Sequence, residues 1–170
     1  MAGEEVLRSL IGLNVDTIII SGGEPLLQQR RLIGLVQALL REDVRVEFET
    51  NGTIAPRQEL VREGIRYNVS PKLSNSGDPV NRRIKPAALI ALRNTPDVAF
   101  KFVCKESSDL VEVADLAEEL ALHPIWIMPC GEYPLVMIDT LRDLADHVVS
   151  HGWYLGVRLH TLLWGNERGR

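Results

Sequence analysis

The sequence has few cysteines, no excess of basic residues and no long apolar run, and each shortage disfavours a class of protein. There are two cysteines, Cys104 and Cys130, so the chain supports neither a disulfide framework nor a metal site built from four thiolates. We therefore expect two free thiols. The net charge of −4 disfavours nonspecific binding to nucleic acid or to an anionic membrane, because binding phosphates requires a basic excess.

The first residues, MAGEEVLRSL, lack the basic region and the continuous apolar core of a signal peptide. No run approaches the roughly 18 apolar residues that a membrane-spanning helix needs. We therefore predict a cytoplasmic protein without a membrane partner or a direct nucleic-acid partner. The length of 170 residues and the 45% hydrophobic composition are ordinary for a globular protein, and no linker or repeat is visible. We predict a single domain over residues 1–170.

Short β-branched runs alternate with stretches of helical period, which is typical of an α/β fold with a mostly parallel sheet. The predicted strands are DTIII, RVEFET, RYNVS, VAFKFV, PIWIM and YLGVRLH. The predicted helices are LIGLVQALLRE, LVEVADLAEELAL and MIDTLRDLADHVVSHG. A hydroxyl of Ser107 or Ser108 is expected to cap the second helix, and Gly152 is expected to end the third. The polar segment Ser74–Pro86 is predicted to be a long surface loop.

Five of the predicted strands finish in polar or glycine-rich segments, namely SGGEP, ETNG, SPK, MPCG and RLH. The carboxyl ends of parallel strands lie together on one face, so we expect these segments to converge. In SGGEP, Gly22 and Gly23 permit close approach of a ligand to the main chain, and Glu24 can accept hydrogen bonds from an ammonium group. The alternative is a glycine-rich turn in which Glu24 is a solvated acid at the start of a helix.

The other strand ends also have both a functional and a structural interpretation. Glu49 and Asn51 suit ribose hydroxyls, although an Asn-Gly pair is more commonly just a turn. Lys72 supplies a cation suited to a carboxylate, or else it is an ordinary surface lysine. His160 is predicted to end the last strand, either as a ligand contact or as a core imidazole.

Taken in order, SGGEPLLQ, FETNGT, VSPK, KFV, IMP and RLHTLLWGN resemble the motifs of radical S-adenosylmethionine (SAM) enzymes of the 7-carboxy-7-deazaguanine synthase family. The resemblance covers nearly the whole chain. It implies a partial (β/α) barrel of the radical SAM type that is missing the first βα unit. It also implies a lyase that converts 6-carboxy-5,6,7,8-tetrahydropterin to 7-carboxy-7-deazaguanine with loss of ammonia. That reaction lies on the route to queuosine, a product of tRNA modification.

The resemblance assigns site residues motif by motif. The segment Gly22–Glu24 would bind the methionyl amino group of SAM. The other SAM-binding residues would be Glu49, Asn51, Ser70, Pro71, Lys72, Met128, Pro129, Cys130 and Gly131. Ser21 and His160 would contact the small-molecule pterin substrate, and the tail after Trp164 is a candidate to close over it.

The chain departs from the family pattern in its metal cofactors. The family holds a [4Fe-4S] cluster on three cysteines of an N-terminal unit, uses Mg2+ and takes electrons from a reductant such as flavodoxin. That unit is absent from this sequence, so we expect no ligands for the cluster or for Mg2+ and no activity of the chain alone. The resemblance also implies a homodimer and an N-terminal complementing segment as partners.

Three interpretations follow from these motifs. In the first, the chain is the C-terminal portion of a 7-carboxy-7-deazaguanine synthase. In the second, it is a non-catalytic relative that binds SAM or the pterin and acts as a regulatory partner. The third is an unrelated barrel enzyme with Lys72 or Lys101 as a Schiff-base lysine, which the set of motifs disfavours. The missing unit also predicts an exposed edge strand and an association-prone protein.

Overall fold

Strands and helices alternate along the chain in the computed structural model, which describes residues 3–131, 133–165 and 167. The strands are β1 (Thr17–Ile20), β2 (Arg45–Thr50), β3 (Ile65–Val69), β4 (Val98–Cys104), β5 (Ile125–Pro129) and β6 (Tyr154–Leu155). The helices are α1 (Gly3–Ile11), α2 (Gln29–Arg41), α3 (Val80–Arg83), α4 (Pro86–Arg93), α5 (Asp109–Leu120), α6 (Pro134–Ser150) and α7 (Leu159–Trp164). Short 3-10 helices lie at Pro25–Gln28, Gln58–Leu60 and Ser74–Ser76.

The strand order in the sheet follows the chain, β1-β2-β3-β4-β5-β6. Strand β2 runs parallel to both β1 and β3, with Ile18 and Ile65 both opposite Val46. Strand β5 runs parallel to both β4 and β6, with Phe100 opposite Ile125. Parallel neighbours need crossover connections, which the intervening helices supply. This arrangement confirms the predicted α/β class.

The chain packs as two compact units. The first unit runs up to Val69 and includes Lys85–Ala99, and the second contains Ser70–Ile84 and the chain from Phe100 onwards. The prediction of a single domain over residues 1–170 stays a prediction. No helix within the described ranges is both long enough and apolar enough to cross a membrane.

The core of the first unit follows from the alternation of strand β2. Val46, Phe48 and Thr50 point inward, while the residues between them are less buried. The ring of Phe48 stacks on that of Tyr67, with 5.4 Å between centroids, and both side chains are fully buried. Burial raises the pKa of Tyr67, whose hydroxyl donates a 3.0 Å hydrogen bond to the carbonyl of Leu60.

The core of the second unit forms between strands β4 and β5 and helices α5 and α6. Strand β4 buries alternate side chains, Phe100, Phe102 and Cys104. Helix α5 buries one face at helical spacing, through Leu110, Val113, Leu116 and Leu120. Helix α6 ends at Ser150, and Gly152 follows with a φ of +68°, which confirms the glycine stop predicted there.

Three local predictions are wrong. Segment YLGVRLH forms only the two-residue strand β6, and His160 lies in helix α7 instead of at a strand end. Segment Ser74–Pro86 is not a loop throughout, because it contains a 3-10 helix and α3, and α4 begins at Pro86. Helix α5 is not capped by a serine: the Ser108 hydroxyl bonds Glu106, and Asp109 instead accepts from the backbone N–H of Lys105.

Candidate functional site

The SGGEP segment leaves strand β1 and turns into the 3-10 helix that begins at Pro25. Gly22 has a φ of +106°, a conformation that favours glycine. Gly23 has no such constraint, and a Cβ atom added there would have no protein atom within 4 Å. The folded chain alone therefore gives no reason for glycine at position 23. Open space beside a bare backbone is what close approach of a ligand requires.

Three hydrogen bonds hold the Glu24 carboxylate. Oε1 accepts from the backbone N–H of Leu26 at 3.1 Å and from the Thr50 hydroxyl at 2.8 Å. Oε2 accepts from the backbone N–H of Asn51 at 2.8 Å. Glu24 thus caps the 3-10 helix and joins its loop to the end of strand β2. The structure agrees with the structural interpretation in that Glu24 is an acid at the start of a helix, but its carboxylate is half-buried and hydrogen-bonded.

The ETNG segment forms a tight turn. The Asn51 side-chain oxygen accepts from the backbone N–H of Thr53 at 2.9 Å and from its hydroxyl at 2.6 Å. Gly52 has a φ of +77°, and a Cβ atom there would lie 2.7 Å from Leu89 and 2.8 Å from Val69. The structural interpretation of Asn-Gly is therefore confirmed for the Asn51 oxygen, since it serves the turn.

A cleft of about 830 Å³ opens beside the SGGEP segment in the first unit. Its lining combines one carboxylate with guanidinium groups and bare backbone; the residues are Ser21, Gly22, Gly23, Glu24, Pro25, Leu26, Leu27, Gln28, Gln29, Arg30, Arg31 and Arg57. Gln29 fixes one wall, because it donates to the Ala55 carbonyl at 3.2 Å and accepts from the Arg57 N–H at 2.7 Å.

Thr50 and Gln29 contribute to this site but were not predicted from the sequence. Thr50 is 4% exposed, and its hydroxyl also accepts from the Gly52 N–H at 3.2 Å. Its position between Glu49 and Asn51 was a signal, since a polar side chain on the buried face of a strand needs a partner. Gln29 gave no comparable signal, because a polar residue at the start of a helix is ordinary.

In the second unit, the SPK segment follows strand β3. Pro71 and Leu73 are buried, whereas Lys72 between them is exposed. The backbone carbonyl of Lys72 accepts a 3.1 Å hydrogen bond from Arg83. Two buried neighbours thus fix the path of the backbone and leave the ammonium group outside the core.

The MPCG segment ends strand β5. The Cys130 N–H donates to the Cys104 carbonyl at 2.7 Å, and the Gly131 carbonyl accepts from Arg158. A Cβ atom at Gly131 would lie 2.9 Å from the backbone nitrogen of Met137, so helix α6 requires glycine there. Both cysteines are free thiols, as predicted. Burial, together with nearby negative groups, raises the pKa of Cys104 to about 12.

The structure brings Ser21, Gly22–Glu24 and Asn51 together in the first unit, with Glu49 two residues before Asn51 on strand β2. In the second unit Pro129 lies opposite Cys104 in the sheet, and Met128 lies opposite Val103. His160 is exposed on α7 and is not a core imidazole. The tail after Trp164 lies largely outside the described residues. Convergence of all five segments on one face stays a prediction.

The side chains of this chain do not fit a cluster held by three thiolates. The sequence contains two cysteines, and Cys104 is fully buried with a raised pKa, which disfavours the thiolate that binds iron. In the part of the chain that the structure describes, no three His, Cys, Asp or Glu side chains are grouped to hold a metal ion.

Relatives of known name align with most of the chain. The 7-carboxy-7-deazaguanine synthase of Pyrobaculum aerophilum is 35% identical over 173 residues, covering 100% of this chain and 75% of the relative. The 7-carboxy-7-deazaguanine synthase of Hyperthermus butylicus is 30% identical, covering 94% of this chain and 70% of the relative. No protein-family model matches.

The solved structure of QueE from Escherichia coli has a similar fold. The TM-score is 0.70 at 20% sequence identity, and the match covers 93% of this chain and 64% of that chain. This likeness confirms the predicted fold class, which is an α/β fold of the partial-barrel type. Together with the sequence relatives, it shows that the chain belongs to the 7-carboxy-7-deazaguanine synthase family.

Proposed function

We propose that this chain provides the SAM-binding half of the active site, and part of the pterin-binding site, of a 7-carboxy-7-deazaguanine synthase. The reaction is the conversion of 6-carboxy-5,6,7,8-tetrahydropterin to 7-carboxy-7-deazaguanine with loss of ammonia. The observation that carries the proposal is the fixed Glu24 carboxylate beside a cleft whose glycine wall has open space. Membership of the family supplies the reaction.

Glu24 is suited to hold an ammonium group. A carboxylate has about four acceptor positions, and three hydrogen bonds to neutral donors occupy most of them. The carboxylate keeps its charge and one position for the methionyl ammonium group. Its orientation is set before the ligand binds, which reduces the entropic cost of binding.

For Asn51 and Lys72, the hydrogen bonds within the fold indicate which atoms could contact SAM. A ribose contact of Asn51 would come from its amide nitrogen, because the turn occupies its oxygen. Lys72 presents an exposed ammonium group suited to the methionyl carboxylate. Glu49, Ser70, Met128, Pro129, Cys130 and Gly131 are assigned by the resemblance. Ser21 lines the cleft and is assigned to the pterin, as is His160 on α7.

Radical chemistry in this family would depend on a [4Fe-4S] cluster. The residues of this chain do not fit that cluster, so its thiolates would come from a complementing segment. The proposal assigns to this chain the binding and orientation of SAM and the exclusion of water around it. A homodimer, Mg2+, a reductant such as flavodoxin and a cytoplasmic location belong to the same proposal and rest on family membership.

Calorimetric titration of the full chain with SAM tests the proposal. Gly23→Ala adds one methyl group where no protein atom lies within 4 Å, so we expect a folded protein that binds SAM at least tenfold more weakly. Gly34→Ala is the matched control, because Gly34 also has open space but lies on helix α2 away from the SGGEP loop. Equal affinity of Gly23→Ala and the unmodified chain would contradict the proposal.

The cysteine count favours one second candidate, a non-catalytic relative that binds SAM or the pterin as a regulatory partner. Anaerobic reconstitution with a segment that carries three cysteines separates the two functions. The synthase proposal predicts 7-carboxy-7-deazaguanine by mass spectrometry, whereas SAM binding without product favours the regulatory partner. Family membership removes the support for an unrelated Schiff-base barrel enzyme.

A further inference from the structure

A buried arginine holds the segment that follows Lys72. The Arg83 side chain is only 8% exposed and contacts three groups. Nη1 donates to the Lys72 carbonyl at 3.1 Å and to Glu112 Oε1, and Nε donates to the Asp78 carbonyl at 3.2 Å. One guanidinium group thus joins both ends of the segment Lys72–Asp78, which we call the clamp loop, to helix α5.

Glu112 completes this arrangement from helix α5. Its Oε1 accepts from Arg83, and its Oε2 accepts from the backbone N–H of Ser74 at 2.8 Å. The Glu112 side chain is 26% exposed, so the ion pair is partly shielded from water. A carboxylate that bonds both the arginine and the loop backbone determines where the clamp loop lies, beyond any contribution to net stability.

Asn75 makes an independent second attachment. Its amide donates to the Val103 carbonyl at 3.0 Å and to Asp109 at 2.8 Å, and its own carbonyl accepts from Lys105 at 2.8 Å. Because these bonds hold the middle of the clamp loop, loss of Arg83 should release the Lys72 end without unfolding the whole segment.

We infer that Arg83 and Glu112 form a positioning pair that fixes the backbone at Lys72 for SAM binding, an inference that rests on the proposed function. Lys72 is exposed between buried Pro71 and Leu73, so the position of its ammonium group depends on the path of the backbone. The Arg83 bond to the Lys72 carbonyl acts on that path directly. Neither Arg83 nor Glu112 lies in one of the six motifs on which the resemblance to the family rests.

Arginine is needed here for its geometry as well as its charge. A guanidinium group presents several donors in one rigid plane and can serve a carboxylate and two carbonyls together. Lysine at position 83 would keep the charge opposite Glu112 but would not keep the fixed fork of donors. Arg83→Lys therefore separates positioning from simple charge pairing.

The test combines SAM titration with hydrogen exchange of the clamp loop, on full-length variants well below their melting temperatures. We expect Arg83→Gln to bind SAM about tenfold more weakly and to exchange the Ser74 amide faster. Arg83→Lys should keep a melting temperature close to that of the unmodified chain and still bind several-fold more weakly. Arg82→Gln is the control, because Arg82 is the exposed neighbour on α3.

Unchanged SAM affinity in folded Arg83→Gln would overturn the inference and leave the proposed function intact. Equal weakening in Arg82→Gln would overturn it too, because a general loss of positive charge would then be the cause. If Arg83→Gln does not fold, unchanged affinity in Arg83→Lys overturns the inference on its own. If the unmodified chain does not bind SAM, the proposed function fails and this inference fails with it.

Discussion

The loop at Glu24 and the loop at Lys72 are each fixed by a carboxylate, but the two carboxylates have different donors. Glu24 accepts from two backbone N–H groups and a hydroxyl, all of which are neutral. Glu112 accepts from a backbone N–H and from the guanidinium group of Arg83. No cationic side chain is among these donors of Glu24, which is why we propose it as the ligand-binding carboxylate, whereas Glu112 is paired with a cation within the fold. The charge of the donors thus distinguishes the carboxylate that we propose to bind a ligand from the carboxylate that we propose to position a loop.

The largest effect is expected for Glu24→Gln. Removal of the charge leaves the methionyl ammonium group without its counterion, and the new amide NH2 group faces a donor at Asn51. We expect SAM affinity to fall about hundredfold, as for a lost hydrogen bond between charged groups. Calorimetry measures it, with Glu42→Gln at the exposed end of α2 as the control. A loss under threefold would break the comparison, because Glu24 would then be only a cap.

The second-largest effect is expected for Glu112, whose ionisation should make the free energy of unfolding depend on pH. Burial alone would raise the pKa of Glu112, but hydrogen bonds from Ser74 and Arg83 and the charge of Arg83 outweigh it and lower the pKa below 4.5. A carboxyl whose pKa is lowered on folding stabilises the protein above its unfolded pKa and loses that contribution as pH falls through the folded value. The unmodified chain should therefore be more stable than Glu112→Gln at pH 7.

We expect this advantage over Glu112→Gln to be about 2 kcal/mol at pH 7 and to shrink as the pH falls below about 4.5. Thermal unfolding of both proteins from pH 7 to pH 3 measures it, and Glu119→Gln on the exposed face of α5 is the control. An advantage that does not change with pH would mean that the charge of Glu112 does not act in the fold.

A smaller effect is expected for Thr50→Val. The substitution removes one neutral donor from Glu24 and leaves the Gly52 N–H without its acceptor. We expect a loss of about 1 kcal/mol, which is a fall of about 2–4 °C in melting temperature for a chain of this size. Thr140→Val is the control, because the Thr140 hydroxyl makes only an exposed bond to the Val136 carbonyl on helix α6. Equal shifts in both variants would mean that Thr50 does not hold Glu24.

The last prediction concerns the unmodified chain: its two thiols are expected to differ in reactivity towards an alkylating reagent. Cys104 is fully buried and its pKa is raised to about 12, whereas Cys130 is half-buried. Iodoacetamide at pH 8 should alkylate Cys130 in the folded protein and Cys104 only after denaturation. Mass spectrometry of peptides distinguishes the two sites. Rapid labelling of Cys104 in the folded chain would show that the core of the second unit opens readily.

The sequence predicted the strands well where one face is buried, because alternation then appears in the residues themselves. RVEFET buries Val46, Phe48 and Thr50 in turn, as expected for period two. YLGVRLH has a similar composition, but the sheet engages only Tyr154 and Leu155, and helix α7 begins at Leu159. Local pattern cannot show where the neighbouring strand β5 ends, so the position of His160 was missed.

Within the candidate site, motif order singled out Glu24 and Asn51 but predicted neither the Thr50 hydroxyl nor the contacts that join these residues. Thr50 and Asn51 meet Glu24 across 26 and 27 residues of chain. Arg83 meets Glu112 across 29 residues, and neither has a periodicity or a motif that marks the pair. Such contacts form only when the fold brings distant segments together. Composition and motif spacing carry no information about which distant side chains will meet.

Hydrogen exchange of the full chain with and without SAM tests directly whether the SGGEP loop binds the cofactor. If Gly22–Glu24 and Lys72 hold the cofactor, added SAM should slow amide exchange in the segments 21–26, 51–53 and 70–74 and leave helix α4 unchanged. The same experiment on Glu24→Gln should lose the protection of segment 21–26 first. SAM binding that leaves the exchange of segment 21–26 unchanged would contradict the claim that the SGGEP loop is the cofactor site.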